Sequence, residues 1–206
     1  MTEAEWLAGT EPMTMLASLP PGATARMLRL YCVACCRLCW ADLLDEASRE
    51  AVEVAERFAD GGASESELRD CCEQAATALE LPGENHNYIA AGAVLVASQP
   101  GLASEWETTK AVLEADWGRE DMIAAIMRDI FGNPFRPVTF SPSWLTPTVV
   151  GLAGGIYADR AFDRLPILAD ALQDAGCEDV DVLSHCRGDG PHARGCWVVD
   201  GVLGKG

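Results

Sequence analysis

Apolar side chains recur along nearly the whole chain at the three- and four-residue spacing of an α-helix. That period constrains the fold more than any other feature of the sequence. In ATARMLRLYCVACCRLCWADLL, residues 23–44, small and apolar residues cover most of the helix circumference, which predicts a long, largely buried helix. EASREAVEVAERFAD, preceded by a capping Asp45, is amphipathic instead. Ala51, Val52, Val54, Ala55, Phe58 and Ala59 share one side, and Glu46, Arg49, Glu50, Glu53 and Glu56 are assigned to water.

Start and stop signals punctuate this period. Thr2 with Glu5 and Ser64 with Glu67 spell capping boxes, while Pro20-Pro21-Gly22, Gly61-Gly62 and Pro82-Gly83 interrupt the pattern. Further helices are read at Pro12–Leu19, Asn87–Ser98, Ser104–Asp116, Glu120–Phe131, Pro147–Ala158 and Pro166–Ala175, the last closed by Gly176. Asp179–His185 is a short helical turn, and another helix starts near Cys196. GNPFRPVTFSPSWLTP is the long irregular stretch. Its Phe135, Phe140, Trp144 and Leu145 are too apolar for a free tether, so it should pack on the body. No segment alternates with the period of a strand. The expectation is an all-α fold: a single domain over 1–206, a bundle or array of about eight to ten helices with one Pro-rich loop at about 132–147.

The net charge is −17, and twelve acids against three bases fall between 41 and 81. An acidic surface of this kind repels nucleic-acid backbones and anionic membranes; it keeps the chain in solution and offers its helices to a protein partner. MTEAEWLAGTEP carries neither the basic nor the apolar region of a secretory signal, and no apolar run is long enough to span a bilayer. With nine cysteines, two adjacent pairs among them, the expected state is reduced thiols in a cytoplasm.

Cys32, Cys35, Cys36 and Cys39 fall at i, i+3, i+4 and i+7, on one side of a helix. Such a stripe would suit copper(I) or zinc. Buried cysteine also behaves as a small hydrophobe, and with Leu28, Leu38 and Leu43 alongside, core packing is the preferred reading here and for Cys71-Cys72.

The candidate site lies elsewhere, in HCRGDGPHARGCWVVD, residues 185–200. Its His185, Cys186, His192 and Cys196 offer two nitrogen and two sulfur donors, a set that suits tetrahedral zinc. The weakness is the His185-Cys186 pair, because adjacent side chains seldom converge on one ion. Cys177, Cys35 or Cys36 would replace a member. The same stretch also reads as an anion site, with Arg187, His192 and Arg194 supplying charge around Gly188, Gly190 and Gly195. A third reading makes Cys186 or Cys196 a nucleophile activated by His192 or His185, with no third group to orient the base. The bland alternative is a set of turns in which the arginines pair with acids and the cysteines and Trp197 fill core. His86 is read as a capping or surface residue.

MTEAEWL, LRLYCVACCRLCW, AVEVAERFADG, DIFGNPFRPV with WLTPTVV, YADRAFDRLPILADALQDAGC and HCRGDGPHARGCWVVD together resemble an uncharacterised bacterial family of short helical paralogous proteins. The resemblance runs over nearly the whole chain and implies one fold joining Asp159-Arg160 and residues 185–200 to the N-terminal helices. It carries no activity, cofactor or catalytic residue. In that family the first long helix shows a pair like Cys35-Cys36, whereas Cys32 and Cys39 are particular to this chain, which counts against a four-thiol copper site. The functional expectation is a cytosolic binding or regulatory module with a metal or anion site in the 185–196 loop, zinc being the metal to try first. The alternatives are a cysteine/histidine-dependent enzyme and a structural protein-interaction domain. A non-enzymatic role is preferred.

Overall fold

The structure, a computed structural model, describes residues 1–19, 22–38, 40–43, 45–79 and 119–205. The helices read at Asn87–Ser98 and Ser104–Asp116, the Pro82-Gly83 stop, Cys39 and His86 lie outside the described residues. The fold is all-α, and no strand occurs among the described residues. Ten α-helices are described: α1 Glu3–Ala8, α2 Pro12–Leu16, α3 Ala25–Leu38, α4 Glu46–Ala59, α5 Glu65–Leu79, α6 Glu120–Phe131, α7 Pro147–Asp159, α8 Leu165–Asp174, α9 Val180–Arg187 and α10 Trp197–Leu203. Short 3-10 turns cover Trp40–Asp42 and Phe162–Arg164.

Local chemistry accounts for the boundaries. Thr2 N–H donates to Glu5 Oε2 at 2.7 Å and Glu5 N–H returns to Thr2 Oγ1 at 3.3 Å, so the capping box that opens α1 is complete. Asp45 accepts from Ser48 N–H at 2.7 Å and starts α4. At Ser64 only half the box forms. Ser64 Oγ takes the Glu67 N–H at 3.1 Å, but the Glu67 carboxylate pairs with Arg57. The expected Gly176 stop is realised: Gly176 N–H bonds Gln173 O and Cys177 N–H bonds Leu172 O, both at 2.9 Å. The helix expected at 23–44 is shorter, ending at Leu38.

The chain packs as two compact units. The first comprises Met1 and Gly9–Ala124. Its core is built from the buried faces of α2–α5, including Leu16, Leu28, Tyr31, Val52 and Leu68. Cys32, Cys35 and Cys36 are fully buried there, and Cys71 and Cys72 are buried with them. Cys72 Sγ–H bonds Leu68 O at 2.7 Å, and burial pushes its thiol up to about 12. These five thiols are buried within the unit, and among the described residues they assemble no group of three converging donors. One assignment on α4 is corrected: Glu56 is buried, not in water. Arg37 Nη2 meets its carboxylate at 2.9 Å, which offsets the desolvation that would otherwise keep an acid off this face.

The second unit comprises Thr2–Ala8 and Ala125–Gly206. Its core joins α7, α8, α9 and α10 through residues such as Val149, Ile156, Leu168, Val182, Val198 and Val202. Phe140, Trp144 and Leu145 of the Pro-rich stretch pack against this core, as expected of a segment so apolar. Phe135 does not; it stands exposed. The Phe140 ring lies edge-on to Trp144 and Trp197, with centroids 6.3 and 6.2 Å away, and rests directly on Gly201. A Cβ at Gly201 would fall 2.6 and 2.7 Å from two Phe140 ring carbons. Gly201→Ala would ordinarily stabilise a helix by up to about 1 kcal/mol. Here the hemmed ring must move, at roughly 1–3 kcal/mol, so the variant should melt a few degrees lower, not higher, in a thermal unfolding experiment.

Candidate metal centre

Within the second unit, α6, α9, the 188–195 loop and the start of α10 each deliver one donor to a common point. Asp129 Oδ, a nitrogen of His185, a nitrogen of His192 and Cys196 Sγ all lie within 4.8 Å of one another. Asp129 and Cys196 are buried, and the His192 and His185 side chains are 9% and 17% exposed. His185 Nε2 stands 3.1 Å from Asp129 Oδ1 and 3.2 Å from Cys196 Sγ. His192 Nδ1 is 2.6 Å from Asp129 Oδ1, and Ala193 N–H donates to Asp129 Oδ2 at 2.9 Å.

Three of the four zinc ligands expected from the sequence, His185, His192 and Cys196, are therefore together. Cys186 is not part of the group. Neighbouring helical side chains diverge by about 100°, so where His185 turns to the site, Cys186 turns into the core with Cys177. Burial pushes the Cys186 thiol up to about 12.

Asp129 takes the fourth place, and the loop's own composition could not reveal it. It lies 63 residues before His192 in the sequence. A signal was nevertheless present. Asp129 is an acid in the last turn of α6, where the helix dipole disfavours negative charge, and its neighbours Ile126, Met127 and Ile130 are core residues. A carboxylate so placed needs compensation, and the two imidazoles supply it. Burial alone would raise the Asp129 carboxyl, but its hydrogen bonds to His185 and His192 outweigh that and hold it below the usual range. Burial would lower His192, yet the Asp129 bond and charge prevail and raise it. The Gly188 backbone near the ring adds to that rise.

The anion trio is dispersed by protein partners. Arg187 Nη2 binds Asp170 and Gln173, each at 2.8 Å, on the surface. Arg194 donates Nε to Tyr157 O and Nη2 to Ala158 O, both at 3.1 Å, and lies over the Tyr157 ring. It thus closes the last carbonyls of α7. Arg194→Ala should cost about 1–2 kcal/mol in denaturant unfolding, by the same amount with and without added phosphate; a phosphate-dependent loss would return Arg194 to an anion site.

The geometry also bears on nucleophilic chemistry. A cysteine–histidine–carboxylate relay places thiol and acid on opposite ring nitrogens. Here both face the same His185 Nε2. Burial, then the Asp129 charge, push the Cys196 thiol well above its ordinary range, so it is not a free thiolate. One nitrogen, one sulfur and one oxygen meeting head-on form a donor set that could hold a metal ion.

The site borders a cleft of about 390 Å³. Asp129, His185 and His192 line it and Cys196 does not. No protein-family model, no curated protein and no solved structure matches this chain. No helix among the described residues is long and apolar enough to cross a membrane.

Proposed function

We propose that this protein is a zinc-binding module whose ion is held by Asp129, His185, His192 and Cys196. The observation that carries the reading is the convergence of four donors from four separate segments within 4.8 Å. Two nitrogens, a sulfur and an oxygen form a borderline-soft, four-coordinate set. Zinc bonds of roughly 2.0–2.3 Å place neighbouring donors about 3.3–3.8 Å apart. The 3.1 and 3.2 Å contacts of His185 are close to that spacing, and the 2.6 Å pair needs only a small opening. The proton now shared by His192 and Asp129 is what an ion would displace, and bound zinc would deprotonate Cys196 outright.

The module reading is non-enzymatic, with the acidic helices free to meet a protein partner. The buried thiols among the described residues suit a reducing cytoplasm. Protein purified without added metal should carry about one equivalent of zinc by elemental analysis. His192→Ala and Cys196→Ser should each carry little, and Cys186→Ser should remain loaded. Less than about a tenth of an equivalent in the parent chain, with none taken up on adding zinc, would refute the reading.

A further inference from the structure

Resting on that zinc reading, we infer that the adjoining cleft admits a neutral aromatic nitrogen heterocycle of the imidazole class, whose ring nitrogen becomes a fifth ligand to the ion. Asp129, His185 and His192 border the cleft, whereas Cys196 is fully buried and off it. An ion held by all four donors therefore turns toward the cleft the face bounded by the carboxylate and the two imidazoles. A further donor enters through that face, across from the sulfur. Zinc accepts it because a filled d shell imposes no geometry, and its sites can expand from four ligands to five.

Charge disfavours an ionic ligand. Zinc with one thiolate, one carboxylate and two neutral imidazoles is electrically neutral. Of the other lining residues, Glu3 and Asp181 are matched in number by Arg128 and Arg136. Arg136 Nε meets Glu3 at 2.6 Å and its Nη1 lies 3.8 Å from Asp181, so these two acids are already engaged. A carboxylate or a thiolate would leave an uncompensated charge in the loaded cleft, and an ammonium would do the same with the opposite sign. Shape and donor type select the rest. Leu7, 53% exposed, Pro191 and the half-buried Trp197 give the cleft an apolar wall beside the donors. The Trp197 indole lies against His185, with centroids 5.2 Å apart, so a ring entering beside His185 meets an aromatic surface. Water would fill the fifth position but leave this wall uncovered. A neutral ring with one nitrogen lone pair uses the ion and the wall together, and a cleft of about 390 Å³ accommodates it.

The test uses the full chain loaded with cobalt(II), whose visible spectrum reports coordination, at about pH 8, where an imidazole is neutral. Imidazole and 4-phenylimidazole should each shift the cobalt bands saturably, the second about tenfold more tightly because its phenyl group covers the apolar wall. 2-Phenylpyrrole, of similar shape but without the nitrogen lone pair, should leave the bands unchanged, and benzoate should bind more weakly than 4-phenylimidazole. Leu7→Ser alters an exposed position; it should take up the same cobalt, keep its imidazole affinity and weaken 4-phenylimidazole about threefold. Cobalt that loads normally but ignores both heterocycles, or that either one strips from the protein, would overturn the fifth-ligand assignment and leave the zinc reading intact. Equal affinities for the two heterocycles, or no change in Leu7→Ser, would overturn the apolar wall, and tighter binding of benzoate would overturn the charge argument. Failure of cobalt to load at all would sink both readings.

Discussion

Asp129→Ala should lose about 3–5 kcal/mol of stability in chelator-treated protein, the range for removing one partner of a buried charged network. The carboxylate accepts from Ala193 N–H at 2.9 Å and faces both imidazoles, His192 at 2.6 Å and His185 at 3.1 Å. Truncation leaves all three without their carboxylate in a largely buried network. For a domain whose whole stability is about 5–15 kcal/mol, that is a large fraction. Asp129→Asn keeps the volume and an acceptor for Ala193, so it should lose about half as much. Urea unfolding in the presence of a chelator isolates this protein-only term. Repeating it with zinc should widen the gap between parent and variant, because only the parent gains binding free energy on folding. An Asp129→Ala protein as stable as the parent in chelator would mean that the network is not formed.

Trp6→Ala should be comparably damaging, at about 3–5 kcal/mol. Trp6 is fully buried although it sits on the six-residue helix α1, and its indole Nε1–H donates to Gly132 O at 3.0 Å. Gly132 ends α6 with φ +63°, and an added Cβ there would lie 3.2 Å from the Trp197 ring. The two tryptophans thus meet around a glycine that allows both the left-handed turn and the close approach. Trp197 in turn lies against His185, with centroids 5.2 Å apart. Trp6→Phe should cost less, about 1–3 kcal/mol, mostly for the buried carbonyl left without its donor. Chemical denaturation of the two variants separates packing from hydrogen bonding. Equal losses would show that the indole N–H contributes nothing.

These residues mark what was legible beforehand. The capping box at Thr2 and Glu5, the Asp45 cap, the Gly176 stop and the span Glu120–Phe131 were all readable, because each depends on groups within a few residues of one another. Glu56 was misplaced because a helical wheel shows which face a side chain occupies and not whether an arginine from another helix waits there. His185, His192 and Cys196 could be nominated because they share one loop and its flanking turns. Cys186 was included with them on chemistry, then excluded by the rotation between adjacent helical positions.

Periodicity, caps and breakers lie within one or two helical turns, so the sequence by itself determined the all-α class and most of the described helix boundaries. Tertiary structure alone decided that Asp129 completes the donor set, that Arg187 and Arg194 serve neighbouring helices, and that a cleft opens beside the histidines. Each of those outcomes depends on where a distant segment comes to rest, and short-range physics along the chain does not encode that distance.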